Sequence, residues 1–313
     1  MRSLPILPAL FLVSVLSCSK ETPSTDTLPP DTGLYVSTQF SSPQLKILPN
    51  VKYGEKDNFR KMQYTSIQTK DAELLQARLN LTMDIAVPPN ANASSRQPLL
   101  VLIHGGGFVT GDKSDMYLEA YSYAQAGYVV ATINYRLTQN QFNDTVRLFS
   151  RLHALEDVGN AIRFLKKNAS VYFIDTTRVL SIGSSAGGGL SVVNALERDA
   201  ATSVVDYNGF STRVSAAVST GVTLKLDDIA PYTVGFDASD SPLLMFHANP
   251  LDSGTGATWQ DLLNSQQLVN ASGNTCEVYP QPNLTHTVSL ELGGQYWPQL
   301  KPFLWKHLRL GSL

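Results

Sequence analysis

Cysteine is nearly absent: Cys18 and Cys276 are the only two among 313 residues. A disulfide framework is therefore excluded, and the fold has to rest on its apolar core. Charge is also scarce, at 16% of residues with a formal net charge of −2. Such a balance gives no electrostatic footprint for nucleic acid. No apolar run reaches the roughly 20 residues needed to span a bilayer. The sequence also lacks internal repeats, heptads, a cluster of metal-ligand spacing and a dinucleotide-binding glycine fingerprint, so neither metal nor cofactor is expected. What it has is apolar bulk, 43% of residues, enough for one large α/β domain.

The amino terminus differs from the rest. Arg2 precedes an apolar stretch from Leu4 to Leu16, the build of a secretory signal peptide. Val15-Leu16-Ser17-Cys18 resembles a bacterial lipobox, which implies cleavage after residue 17 and a lipid on Cys18. An ordinary cleaved signal and a buried helix are the alternatives. Residues 18–33 are rich in Thr, Pro, Ser and Asp and read as a flexible tether, holding a domain about 20 Å from a membrane anchor. The expected location is the bacterial cell envelope. The folded domain is expected over residues 34–313.

From Leu34 onward, strand and helix patterns alternate. Leu79–Pro89 alternates and stops at two prolines, as an early or edge strand does. "PLLVLI", "YVVATINY", "RVLSIG" and "PLLMFHA" are continuous apolar runs, as in strands buried on both faces. Between them, Leu148, Leu152, Leu155, Val158, Ile162 and Leu165 recur at helical spacing. The pattern predicts a doubly wound, mostly parallel sheet, whose sites lie outside the carboxyl ends of the strands.

Two glycine-rich motifs end buried strands. Gly183-Ser184-Ser185-Ala186-Gly187 fits G-x-S-x-G, a sharp strand-to-helix turn that lifts the central serine above the sheet. Ser185 is the nucleophile candidate, and Ser184 belongs to the turn and the wall of the substrate pocket. His104-Gly105-Gly106-Gly107-Phe108 ends the earlier strand and thus lies on the same side. Glycines there let backbone N–H groups approach a developing oxyanion. The N–H groups of Gly106, Gly107 and Ala186 are assigned to that hole. Phe108 either lines the acyl pocket or packs.

HGGGF, Asn134–Leu137 ("NYRL") and "GSSAGG", in this order, resemble the α/β-hydrolase fold and, within it, the HGGG carboxylesterases. These include hormone-sensitive-lipase-like and bacterial acetyl- or feruloyl-esterase-like enzymes. The likeness runs from about Val51 to the carboxyl terminus. It implies a triad in the order serine, acid, histidine, with the acid after strand seven and the histidine after strand eight. His286 fits the base. The acid departs from the usual H-G-x-x-D, because Leu251 stands four residues after His247. A loop one residue longer brings Asp252 into place; Asn249, Asp240 and Asp261 are the alternatives. Arg136 and Asp157 are expected to pair, holding the long helix to the sheet.

Only 18 residues separate Val222 from Ser241, too few for a large cap. The resemblance then implies an open site and a carboxylic ester hydrolase acting on short acyl groups, borne by an acylated carbohydrate or a xenobiotic alcohol. A peptidase of the same fold and a non-catalytic binding lipoprotein are the competing readings.

Overall fold

The computed structural model describes residues 28–58, 77–138, 144–196, 206–224 and 237–312. The stretch read as a signal peptide, Cys18 and most of the stretch read as a tether lie outside the described residues. Leu28 is exposed, and Lys301 donates to the Pro30 carbonyl at 3.2 Å.

Eight strands form one sheet: β1 (Lys46–Asp57), β2 (Arg78–Val87), β3 (Gln97–Ile103), β4 (Val129–Ile133), β5 (Ile174–Ser184), β6 (Ala216–Thr220), β7 (Leu243–Ala248) and β8 (Cys276–Gln281). Their order is β1-β2-β4-β3-β5-β6-β7-β8. β2 is antiparallel to both neighbours, and the remaining pairs are parallel. The mostly parallel, doubly wound sheet expected from the sequence is present. The stretch read as an early or edge strand is early but internal. β1 covers it, with register shifts between Leu48 and Val51 and between Lys52 and Gly54. Pro88 and Pro89 fall just past the paired stretch and cost the ladder nothing.

Every residue of β3, β4 and β7 is buried. The strand period of two explains the continuous apolar runs. Leu99, Val101 and Ile103 face one layer, and Leu100 and Leu102 face the other. Each such side chain contributes about 1.5–3 kcal/mol on burial. On one face pack α1 (Tyr117–Gln125) and the last helix. On the other lie α2 (Asp144–Lys167) and α3 (Ala186–Leu196). The helix α4 (Trp259–Ala271) connects β7 to β8, and α5 (Trp297–His307) closes the domain.

In α2 the apolar face enters the core only from Ala154 onward; Leu148 and Leu152 are half-buried. Arg136, just after β4, pins this helix. Its Nε and Nη2 reach Asp157 at 2.8–3.1 Å, and its backbone N–H donates to Asp157 at 2.8 Å. Glu156 takes a further 2.8 Å bond, and Lys56 of β1 joins Glu156 at 3.0 Å. The expected pair is thus part of a larger buried ion network.

Candidate active site

β5 and α3 meet at Ser185, whose φ of +52° is left-handed. A serine persists there only because its surroundings over-determine the turn. Its N–H donates to the Thr220 carbonyl on β6 at 2.9 Å, and its carbonyl accepts from Gly189 at 3.0 Å. Close approach fixes the following glycine: a Cβ on Gly187 would stand 2.2 Å from the Ile103 carbonyl oxygen. β3 and the turn can therefore touch only with glycine at that position. Ser185 sits immediately before Ala186, the first residue of α3, where the helix presents its positive end.

His286 follows β8, and its Nε2 lies 2.7 Å from Ser185 Oγ. Its Nδ1 lies 3.0 and 2.9 Å from the two carboxylate oxygens of Asp252. Asp252 is wholly buried. Its Oδ1 also accepts the backbone N–H groups of Gly254, at 2.6 Å, and Thr255, at 3.1 Å. The loop after β7 is one residue longer than H-G-x-x-D, and it delivers Asp252 to His286. The alternative acids are engaged elsewhere. Asp240 accepts from the Asp237 N–H at 2.8 Å, and Asp261 closes the capping box that starts α4.

The HGGGF loop runs beside the turn. The Cβ position of Gly105 lies 3.2 Å from Ser185 Cβ. Gly106 and Gly107 are exposed, at φ +101° and +60°. His104 is buried and stacked on Tyr135 with ring centroids 4.4 Å apart. Burial depresses its pKa, although the hydrogen bond to the Gly105 carbonyl works the other way. Tyr135 Oη donates to the carbonyls of His104 and Gly105 at 2.9 and 3.1 Å, which holds the loop from below. Phe108 is half-buried and meets Tyr135 edge-on at 6.4 Å. Ser184 lines a cleft of about 280 Å³ beside the turn, with Glu119, Thr220, Thr287 and Ser289.

Sequence reasoning missed three contributors. Thr220 joins the serine and histidine loops: its carbonyl holds Ser185, while its Oγ1 accepts Val288 N–H at 3.1 Å and a short bond from Gln281. Glu119 of α1 accepts from Ser289 Oγ at 2.6 Å and anchors the loop that carries His286. Gly254 lies against the imidazole, where a Cβ would stand 2.5 Å from Cγ of His286. A strand threonine, a helix glutamate and a loop glycine carry no local signal of such roles. Among the described residues, no group of three or more His, Cys, Asp or Glu side chains is placed to hold a metal.

The arrangement is a serine hydroxyl bonded to an imidazole whose far nitrogen is bonded to a buried carboxylate. It can remove the hydroxyl proton as the oxygen attacks an electrophile.

Known proteins agree with this fold. Ethyl acetate hydrolase of Pseudomonas putida is 30% identical over 131 residues, 42% of this chain and 37% of that protein. Para-nitrobenzyl esterase of Bacillus subtilis is 33% identical over 115 residues, 34% of this chain and 23% of that protein. The chain thus spans well under half of these relatives' own length. The apo form of Thermogutta terrifontis esterase 2 superposes with a TM-score of 0.60 at 18% identity, over 87% of this chain and 93% of that one, a likeness that bears on the fold. The family model described as BD-FAE matches residues 83–249, which contain the HGGGF loop, the serine turn and the end of β7. Because that match takes in more than half of the sequence, the chain belongs to the BD-FAE family of α/β-hydrolase-like proteins.

Proposed function

We propose that this chain hydrolyses carboxylic esters through an acyl-enzyme on Ser185. The observation that carries the reading is the unbroken relay from Ser185 Oγ to His286 at 2.7 Å and on to Asp252 at 2.9 Å. Ser185 Oγ attacks the acyl carbon while its proton passes to His286 Nε2. The carbonyl oxygen becomes an oxyanion received by the N–H groups of Gly106, Gly107 and Ala186. The intermediate collapses, the ester C–O bond breaks, and the alcohol leaves with the proton from His286. Water then repeats the sequence, giving the free acid and restoring Ser185. Asp252 keeps the imidazole oriented and offsets its charge at each stage.

Short acyl groups are the proposed substrates. The stretch between Val222 and Ser241 leaves little chain for a cap, and Gly106 and Gly107 are open to solvent. The ethyl acetate hydrolase relative, and the propionate- and butyrate-bound forms of the Thermogutta esterase 2 likeness, support the same size. The leader and Cys18 read from the sequence support a lipid-anchored place at the cell envelope, where acylated carbohydrates and small esters are within reach.

A ladder of p-nitrophenyl esters tests the proposal. The expected kcat/KM is highest between acetate and butyrate and falls by about tenfold by octanoate. Absence of hydrolysis, or a rate that rises towards long chains, contradicts it.

A further inference from the structure

Asp252 has a second imidazole beside it. Burying a carboxylate is costly unless opposite charge and hydrogen bonds compensate. Oδ1 is well supplied, by Gly254, Thr255 and His286. Oδ2 receives His286 Nδ1 at 2.9 Å and faces His247 Nε2 at 3.7 Å. Among the described residues, these two histidines are the chargeable partners within ion-pair distance of Asp252.

They differ in setting. The His286 side chain is 29% exposed and meets Ser185, whereas His247 is wholly buried at the end of β7. The orientation of the His247 ring is fixed from behind. Its Nδ1 lies 3.0 Å from the Ala248 carbonyl, and a carbonyl only accepts, so Nδ1 carries a hydrogen and donates. The other ring nitrogen has no hydrogen-bond partner and is turned towards the acid. A bare lone pair there would oppose the carboxylate lone pairs. A hydrogen there faces Oδ2, which no backbone N–H reaches, across 3.7 Å, within ion-pair distance though longer than a hydrogen bond.

We propose that His247 is a positioning residue for Asp252, directing Nε2–H at Oδ2 and so fixing the carboxylate that orients His286. The inference rests on the ester-hydrolase reading of Ser185, Asp252 and His286. His247 acts through Asp252 alone and touches neither substrate nor serine.

Two near-isosteres separate this role from a structural one. Asparagine keeps a donor at the δ position for the Ala248 carbonyl but stops short of Asp252. Glutamine reaches the ε position. With p-nitrophenyl acetate, His247→Asn and His247→Leu are expected to lower kcat by about tenfold with KM within about twofold, the pattern of a misplaced catalytic group. His247→Gln recovers most of that loss, even where its thermal midpoint is no higher than that of His247→Asn. Wild-type rates in His247→Asn, or a His247→Gln no faster than His247→Leu, overturn the proposal. A second measurement needs neither folding of the variants nor turnover. In the wild-type protein, nitrogen-15 spectra of labelled histidine are expected to show hydrogen on both nitrogens of His247; a bare Nε2 overturns the proposal. A wild-type protein inactive on p-nitrophenyl acetate would defeat the ester-hydrolase reading, while the spectra still decide the contact between His247 and Asp252.

Discussion

Three conditions act together on the Ser185 hydroxyl: a left-handed backbone, a base at hydrogen-bond distance and the first turn of α3 beneath it. The base depends in turn on very close packing. Gly254→Ala places a methyl 2.5 Å from the His286 ring, at van der Waals overlap, and the ring must move. The expected result is a kcat about 10²-fold lower on p-nitrophenyl acetate, with a thermal midpoint close to that of wild type because the displaced atoms belong to a half-exposed side chain. Unchanged kcat would mean that the imidazole position is not what limits the reaction. Ser185 was legible in its own turn motif, and His286 through the strand order that the family resemblance implies; Asp252 was less so, because it stands one residue beyond the usual spacing and competed with Asn249, Asp240 and Asp261. Thr220, Glu119 and Gly254 were not legible. Their contacts arise where β6, α1 and the loop after β7 converge in space, and no local pattern encodes that convergence.

At the scale of elements, the ion network holds α2 to the end of β4 and to β1. Burial works against the charge of Arg136, yet Asp157 and Glu156 outweigh it and raise its pKa. Burial raises the pKa of Asp157 too, against the pull of Arg136. Removing one partner strands the other. Arg136→Met is expected to cost about 3–5 kcal/mol in urea unfolding, and pairing it with Asp157→Leu should recover much of that loss. A double variant no more stable than Arg136→Met would mean that the network does more than compensate its own charges. The elements themselves were largely visible, since buried parallel strands must be apolar throughout. β1 was less so: most of its residues are solvated or half-buried, so no apolar run marks it in the sequence. The internal position of β2 was hidden for the same reason, because only β1 removes it from the edge.

For the whole molecule, acid sensitivity follows from two histidines that the fold holds neutral. Burial, assisted by Arg136, lowers His153 from 6.5 to about 4, and burial lowers His104 as well. Between those values the unfolded chain binds protons that the folded chain refuses, so stability is lost as pH falls from 6.5 towards 4. Asp112 and Asp175, held below 3.8 by their hydrogen bonds, add losses only at lower pH. The urea midpoint is expected to decline across the upper window and to decline less steeply in His153→Gln. A midpoint independent of pH there would show that neither ring resists protonation.

The central claim concerns one oxygen atom, Ser185 Oγ, and a fluorophosphonate probe tests it most directly. The purified domain is treated at neutral pH, digested and mapped by mass spectrometry. The account predicts rapid, stoichiometric labelling confined to Ser185, lost in Ser185→Ala and slowed by about 10⁴-fold in Asp252→Asn. Labelling at Ser184 or another serine, or none at all in the wild-type protein, would contradict it.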